Sequence, residues 1–250
     1  MQQIASSRLY TKDKVTLAYE HAQHGHRSII IVCPGFFNSK KNRWMRKSRE
    51  LLSREHDTMI FDFRGHGESG GKFSWSAKEH RDVEAILDYL KPYNYRSTGI
   101  LAYSLGAAAS INAVARRKSV QSMILVSCPY SFWKINYHFW EPEMLSDLKD
   151  NFECDWEGKG ARAGSLLNPK RKPINEIKKI KDIPVFFIHG KRDWIIKDYH
   201  SQRLYEAAQG VKKIELIEDG LHAERLIQQH PEKMKTLILD WFKSTLKKEV

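Results

Sequence analysis

The sequence predicts one α/β domain built on a doubly wound, mostly parallel sheet that carries a small insertion. Three observations lead there. Six short apolar runs, at 28–33, 57–63, 98–102, 122–127, 184–188 and 213–217, alternate with stretches of helical period. Most of these runs are continuous rather than alternating, as in strands covered on both faces by helices. The alternation lapses once, over 129–172, a span too long for an ordinary connection.

Composition agrees with a folded domain. Of the 250 residues 41% are hydrophobic and 29% charged, enough apolar material to cover a sheet and too much for a disordered chain. The net charge of +12 collects in clusters, among them Arg116, Arg117 and Lys118, then Lys170, Arg171 and Lys172. No nucleic-acid recognition motif accompanies them, so they read as solvated helix faces and no specific nucleic-acid partner is expected. Cys33, Cys128 and Cys154 have no paired spacing, which argues against both a disulfide framework and a zinc site. No apolar run is long enough to span a bilayer, and the first ten residues lack the pattern of a secretory signal. A cytoplasmic location is the expectation.

In chain order, 6–10 and 15–19 flank a polar turn and read as an antiparallel pair. His21, His24 and His26 fall in a second polar, glycine-containing stretch and read as loop residues rather than metal ligands. The strand at 28–33 ends in Pro34-Gly35, a pair that stops the ladder and turns the backbone sharply. A helix follows over 43–55, then the strand at 57–63 and a glycine-rich loop, 64–71, without the spacing of a phosphate-binding loop. Ser76 and Glu79 form a capping box for a helix with Val83, Ile86, Leu87 and Leu90 along one side. After 98–102 comes a helix rich in Gly and Ala, from Leu105 to Arg117, suited to close approach to the sheet.

The break at 129–172 carries aromatic and acidic residues first and basic ones later. It reads as a lid over the sheet's carboxyl edge, dividing the core into 1–128 and 173–250. Within the second part, a short helix at 174–180 precedes the strand 184–188, and helices at 198–208 and 231–246 flank the last strand.

Three loops that follow predicted parallel strands carry chemistry. Ala102-Tyr103-Ser104-Leu105-Gly106 has the small-x-Ser-x-Gly form of a nucleophile elbow, where a tight strand-to-helix turn lifts the serine oxygen above the sheet. Asp193 follows one strand and His222 another. In an open α/β sheet these loops share the carboxyl edge, so distant residues meet there. A serine hydroxyl needs a neighbouring imidazole to take its proton, and that imidazole needs an acid to orient it.

With those residues in place, the chain resembles the α/β-hydrolase family over nearly its whole length. Its Asp62-Phe-Arg-Gly-His-Gly-Glu-Ser69 segment is also similar to one in that family's lipase and esterase branch. The resemblance implies an α/β-hydrolase fold, catalysis by Ser104, Asp193 and His222, and an oxyanion hole from the backbone amides of Phe36 and Leu105. Two positions depart from the pattern: Pro34 stands where many relatives have His, and Ala102 where most have Gly. His66 and His189 fall at positions the family associates with loop shape. The implied reaction is hydrolysis of a small-molecule carboxylic ester through an acyl-serine intermediate, with no metal or organic cofactor. Phe37, Tyr103, Phe132, Trp133, Trp140 and Trp194 are candidate pocket residues. Lys40, Lys41 and Arg43 could attract an anionic group, which would suit a thioesterase or acyltransferase using a charged carrier. An aminopeptidase-type enzyme would instead need Glu141 or Glu143 to hold an amine, and a non-catalytic protein would use the basic surface alone.

Overall fold

The structure, a computed structural model, describes residues 3–136, 140, 142–145 and 160–246. Eight strands form one sheet: β1 (Gln3–Tyr10), β2 (Thr16–Gln23), β3 (Ser28–Cys33), β4 (Asp57–Phe61), β5 (Ser97–Tyr103), β6 (Ser122–Val126), β7 (Val185–Gly190) and β8 (Lys212–Ile217). Their order across the sheet is β1-β2-β4-β3-β5-β6-β7-β8. β2 pairs antiparallel with β1 and β4, and every pair from β4 to β8 is parallel. This is the α/β-hydrolase fold. Among the described residues the helices that flank the sheet are α1 (Arg43–Leu52), α2 (His80–Leu90), α3 (Leu105–Arg117), α4 (Pro173–Glu176), α5 (Tyr199–Ala207), α6 (Arg225–Gln229) and α7 (Pro231–Thr245).

Two cores explain the continuous apolar runs. Ile29 and Ile31 of β3 point to one face, where Val83 and Ile86 of α2 and Ile111 of α3 cover them. Ile30 and Val32 point to the other, against Met45 and Leu52 of α1 and Ile238 and Phe242 of α7. Because successive side chains alternate across a strand, apolar residues at every position require cover on both sides. Each buried Ile contributes roughly 1.5–3 kcal/mol relative to an exposed one.

Three local expectations change. His21 lies within β2, not in a loop; it is fully buried with its Nε2 2.8 Å from Tyr95 Oη. The cap before α2 uses Ser74 rather than Ser76. Glu79 accepts the Ser74 N–H at 2.6 Å, and the Ser74 hydroxyl accepts from the Lys78 N–H at 2.7 Å. Ser76 has a left-handed backbone (φ 71°), which takes its side chain out of capping position. The short helix α6 went unforeseen because its five residues, Arg-Leu-Ile-Gln-Gln, are too few to show a period.

No helix among the described residues is long and apolar enough to cross a membrane. Much of the expected lid, including Tyr137, Phe139, Glu141, Phe152 and Trp156, lies outside the described residues. Its returning limb is described. Ala161 and Ala163 form bridges with His66 and Phe73, and the N–H of Arg162 donates to Gly65 O at 2.7 Å.

Candidate active site

Ser104 occupies the sharp turn between β5 and α3 with φ 48° and ψ −112°, a strained conformation for a residue with a Cβ. Two features hold it there. Its N–H donates to Val126 O on the adjacent β6 at 2.8 Å, and its C=O accepts from Ala108 at 3.2 Å in the first turn of α3. Gly106 permits the approach, since a Cβ there would stand 2.4 Å from the carbonyl oxygens of both Cys33 and Pro34. Ala102 at the position before Tyr103 is fully buried, so its methyl group fits the core.

Ser104 meets the two other residues that follow strands. His222 Nε2 lies 3.1 Å from Ser104 Oγ, and His222 Nδ1 lies 2.6 Å from Asp193 Oδ2. Asp193 is fully buried. Its other oxygen accepts backbone N–H groups from Ile195 at 3.0 Å and Ile196 at 2.8 Å, which fixes the carboxylate plane. Burial by itself would raise the Asp193 pKa. The charge of His222 and hydrogen bonds from His189 and His222 outweigh it and hold the carboxyl well below the usual range. Asp193 therefore stays ionised, as an acid that orients an imidazole must.

The turn Gly35 to Asn38 passes close above this group, and a Cβ on Gly35 would touch Ser104 Cβ at 3.4 Å. The Asn38 N–H closes the turn onto Gly35 O at 3.4 Å, a bond that leaves the Phe36 N–H uninvolved. Leu105 is the first residue of α3, where backbone N–H groups have no intrahelical acceptor. The expected donors are thus Phe36, inside the turn, and Leu105, directly after the serine. The Asn38 amide also donates to Glu224 Oε1 at 2.6 Å, tying this turn to the loop that bears His222. Neither Asn38 nor Glu224 stood out in sequence, because 186 residues separate them.

An aromatic group lies beside the turn. The Phe36 ring centroid is 4.8 Å from that of Phe73 and 6.2 Å from that of Trp75, and Trp75 meets Phe132 at 6.0 Å. Phe132 is thereby brought into this group, while Phe73 and Trp75 had not been anticipated. Phe37 is half exposed, Trp194 is buried, and Trp133 and Trp140 are exposed at the surface. Lys170 sits over the Trp133 ring, 4.2 Å from its centroid.

Two expectations are corrected. Tyr103 does not line a pocket: it is fully buried on the α1 and α7 side, and its hydroxyl lies 2.9 Å from Ser48 Oγ. It points that way because it sits one residue from Ala102 on a strand whose faces alternate. Lys40 is not poised to attract an anion. It is buried and ion-paired with Asp62 and Glu68, while its own N–H donates to Asp62 Oδ1 at 2.6 Å. Lys41 also pairs with Glu68, and the Arg43 guanidinium stacks over Trp44. Among the described residues no group of three His, Cys, Asp or Glu side chains is placed to hold a metal ion.

Comparison with known proteins places this geometry in context. Residues 24–159 match the family described as serine aminopeptidase, S33. The protein YqkD of Bacillus subtilis (strain 168) is 30% identical over 216 residues, 82% of this chain and 68% of that one. YfhR of Escherichia coli (strain K12) is 25% identical over 200 residues, 78% of this chain and 63% of that one. The chain spans about two thirds of the length of these relatives. Among solved structures, the Pyrococcus furiosus esterase Pf2001 superposes with a TM-score of 0.79 at 25% identity, covering 98% of this chain and 94% of that one. An esterase from Exiguobacterium antarcticum shares the fold, with a TM-score of 0.72 at 15% identity over 96% of this chain and 100% of that one.

Proposed function

Because the chain belongs to the serine aminopeptidase, S33 family of α/β hydrolases, we propose that it is a serine hydrolase cleaving carboxylic esters that carry an apolar or aromatic acyl group. The observation that carries this reading is the contact series Ser104 Oγ to His222 Nε2 at 3.1 Å and His222 Nδ1 to Asp193 at 2.6 Å. The similarity to an esterase of known structure supports the ester as substrate.

In the first half-reaction His222 takes the proton of Ser104 as Oγ bonds to the substrate carbonyl carbon. The negative charge that develops on the carbonyl oxygen is received by the Phe36 and Leu105 N–H groups, and the macrodipole of α3 adds to their field. His222 then protonates the leaving alcohol as the carbon–oxygen bond breaks, which leaves an acyl-serine. Water, deprotonated by His222, attacks that ester; the acid departs and Ser104 regains its proton. Asp193 stays ionised throughout and stabilises the imidazolium. The aromatic group of Phe36, Phe73, Trp75 and Phe132 offers an apolar surface for the acyl part.

Competing readings draw less support. A charged acyl carrier was to be recognised at Lys40, which is internally neutralised. For a peptide amine, Glu143 is already held by Arg192 at 2.6 Å, and Glu141 lies outside the described residues. The test is a series of nitrophenyl esters from acetate to decanoate together with a serine-directed phosphonate probe. Wild type should hydrolyse the esters and take up the probe, and Ser104→Ala should lose activity by on the order of 10⁴-fold or more. Equal labelling of the two proteins would overturn the assignment.

A further inference from the structure

A cleft of about 650 Å³ opens on the outer side of α2 and α3, and Ser104, Asp193 and His222 are not among its lining residues. Its size is that of a small-molecule site, roughly 300–1,000 Å³. Four segments supply its cations: Lys12 in the turn between β1 and β2, Lys78 and Arg81 around the start of α2, Arg116 and Arg117 at the end of α3, and Lys170 and Arg171 from the loop before α4.

The acids that reach the cleft do not neutralise it. Asp13 is shared between Arg64 and Arg81. Glu84 is shared between Arg116 at 3.1 Å and Arg117 at 4.0 Å, and Asp88 among Arg117, Lys91 and Lys12. Arg171 pairs with Glu176 at 3.6 Å, whereas Lys78 has no ion pair among the described residues and Lys170 donates to the carbonyls of Leu166 and Asn168. Positive charge is therefore left over.

A second observation points to a ligand. His80 forms part of the wall, is 6% exposed, and its buried Nδ1 has no hydrogen-bond partner among the described residues. Burial and the charges of Arg171, Arg116, Arg81 and Arg64 push its pKa down to about 4, so the imidazole is neutral at physiological pH. A buried ring nitrogen without a partner is costly, and a rotation of the ring that turned the Nδ1–H tautomer toward the cleft would let an oxygen of an anion satisfy it.

We propose that this cleft binds a small molecule bearing a short chain of phosphates, at a site separate from Ser104. Arginine forks pair bidentately with phosphate oxygens, which favours phosphate over an isolated carboxylate. A cleft of about 650 Å³ has the size of a small-molecule site rather than of a groove that follows the continuous backbone of a nucleic acid.

Tripolyphosphate titrated into the full chain by calorimetry tests the proposal. The expected result is one-to-one binding that Lys78→Glu with Arg81→Glu weakens by about tenfold or more, while Arg54→Glu with Lys243→Glu, two exposed cations outside the cleft, leaves it within about twofold. The His80 imidazole resonances should shift along the same saturation curve. Should the reversal variant not fold, Lys78→Gln with Lys170→Gln serves the same comparison. Ser104→Ala should bind as wild type does, which separates failure here from failure of the hydrolase reading. Absence of saturable binding, equal weakening by the control pair, or binding of a single-stranded oligonucleotide or phosphoinositide vesicles without tripolyphosphate would overturn the proposal.

Discussion

His189 Nε2 stands 3.2 Å from Asp193 Oδ2, the same oxygen that His222 Nδ1 reaches at 2.6 Å. The His189 ring is locked by Ser201 Oγ at its Nδ1 and Ile196 O at its Nε2, both at 2.6 Å. One carboxylate thus faces two imidazoles and two backbone N–H groups while wholly out of water.

A pH dependence of stability follows. The folded pKa of Asp193 lies below its unfolded value of about 4, so the ionised carboxylate contributes stability that is complete above that value. The contribution is lost as pH falls below it toward the folded pKa. Urea denaturation of wild type and Asp193→Asn should show a stability gap that is constant from neutral pH down to about 5 and narrows below about 4. A gap that holds unchanged into the acid range would refute the account.

Arg64 anchors the glycine-rich loop from beneath. Its side chain is 3% exposed and reaches Asp82 through Nε at 2.9 Å and Nη2 at 2.7 Å, and Asp13 through Nη1 at 2.8 Å. Arg64→Ala would leave the buried Asp82 carboxylate without its counter-charge, at a cost of about 3–5 kcal/mol. Arg64→Met with Asp82→Asn removes both charges and should recover much of that loss. Denaturation midpoints of the two variants check the prediction.

The parts of the site readable in the sequence are those set by local order. Ser104, Asp193 and His222 each fall in the turn or loop that follows an apolar run, and parallel strands bring such positions to one edge whatever their separation. What depended on side-chain direction or distant partners was hidden. In the unbroken apolar run Ile100 to Tyr103, nothing indicates which face Tyr103 takes. Lys40 reads as a surface charge because its partners, Asp62 and Glu68, lie 22 and 28 residues away. Trp75 reaches Phe36 only because Trp75 and Ser76 both adopt left-handed backbone, which neither residue type signals.

Tyr103 provides a direct contrast between core and pocket. Tyr103→Phe removes a hydroxyl whose partner, Ser48, keeps its bond to Trp44 O at 2.8 Å. The expected cost is about 1 kcal/mol of stability, with kcat and KM for any ester unchanged within about twofold. A large rise in KM would return Tyr103 to the pocket.

Trp75 should act on substrate preference instead. Its ring packs between Phe73 at 4.9 Å and Phe132 at 6.0 Å, and its Nε1–H donates to Gly164 O at 2.9 Å. That bond ties the returning limb of the insertion to the aromatic group beside Phe36. Trp75→Phe keeps apolar surface but loses the donor, leaving a carbonyl to find another partner. Trp75→Ala loses both, and with them roughly 2–3 kcal/mol of apolar contact for any acyl group resting on the ring. Acetate esters are too short to exploit that surface, so their kcat/KM should change little in either variant. Esters with long or aromatic acyl groups should lose about tenfold or more in Trp75→Ala and less in Trp75→Phe. Equal losses across the whole acyl series would place the effect at Ser104 or the oxyanion turn and remove Trp75 from substrate recognition.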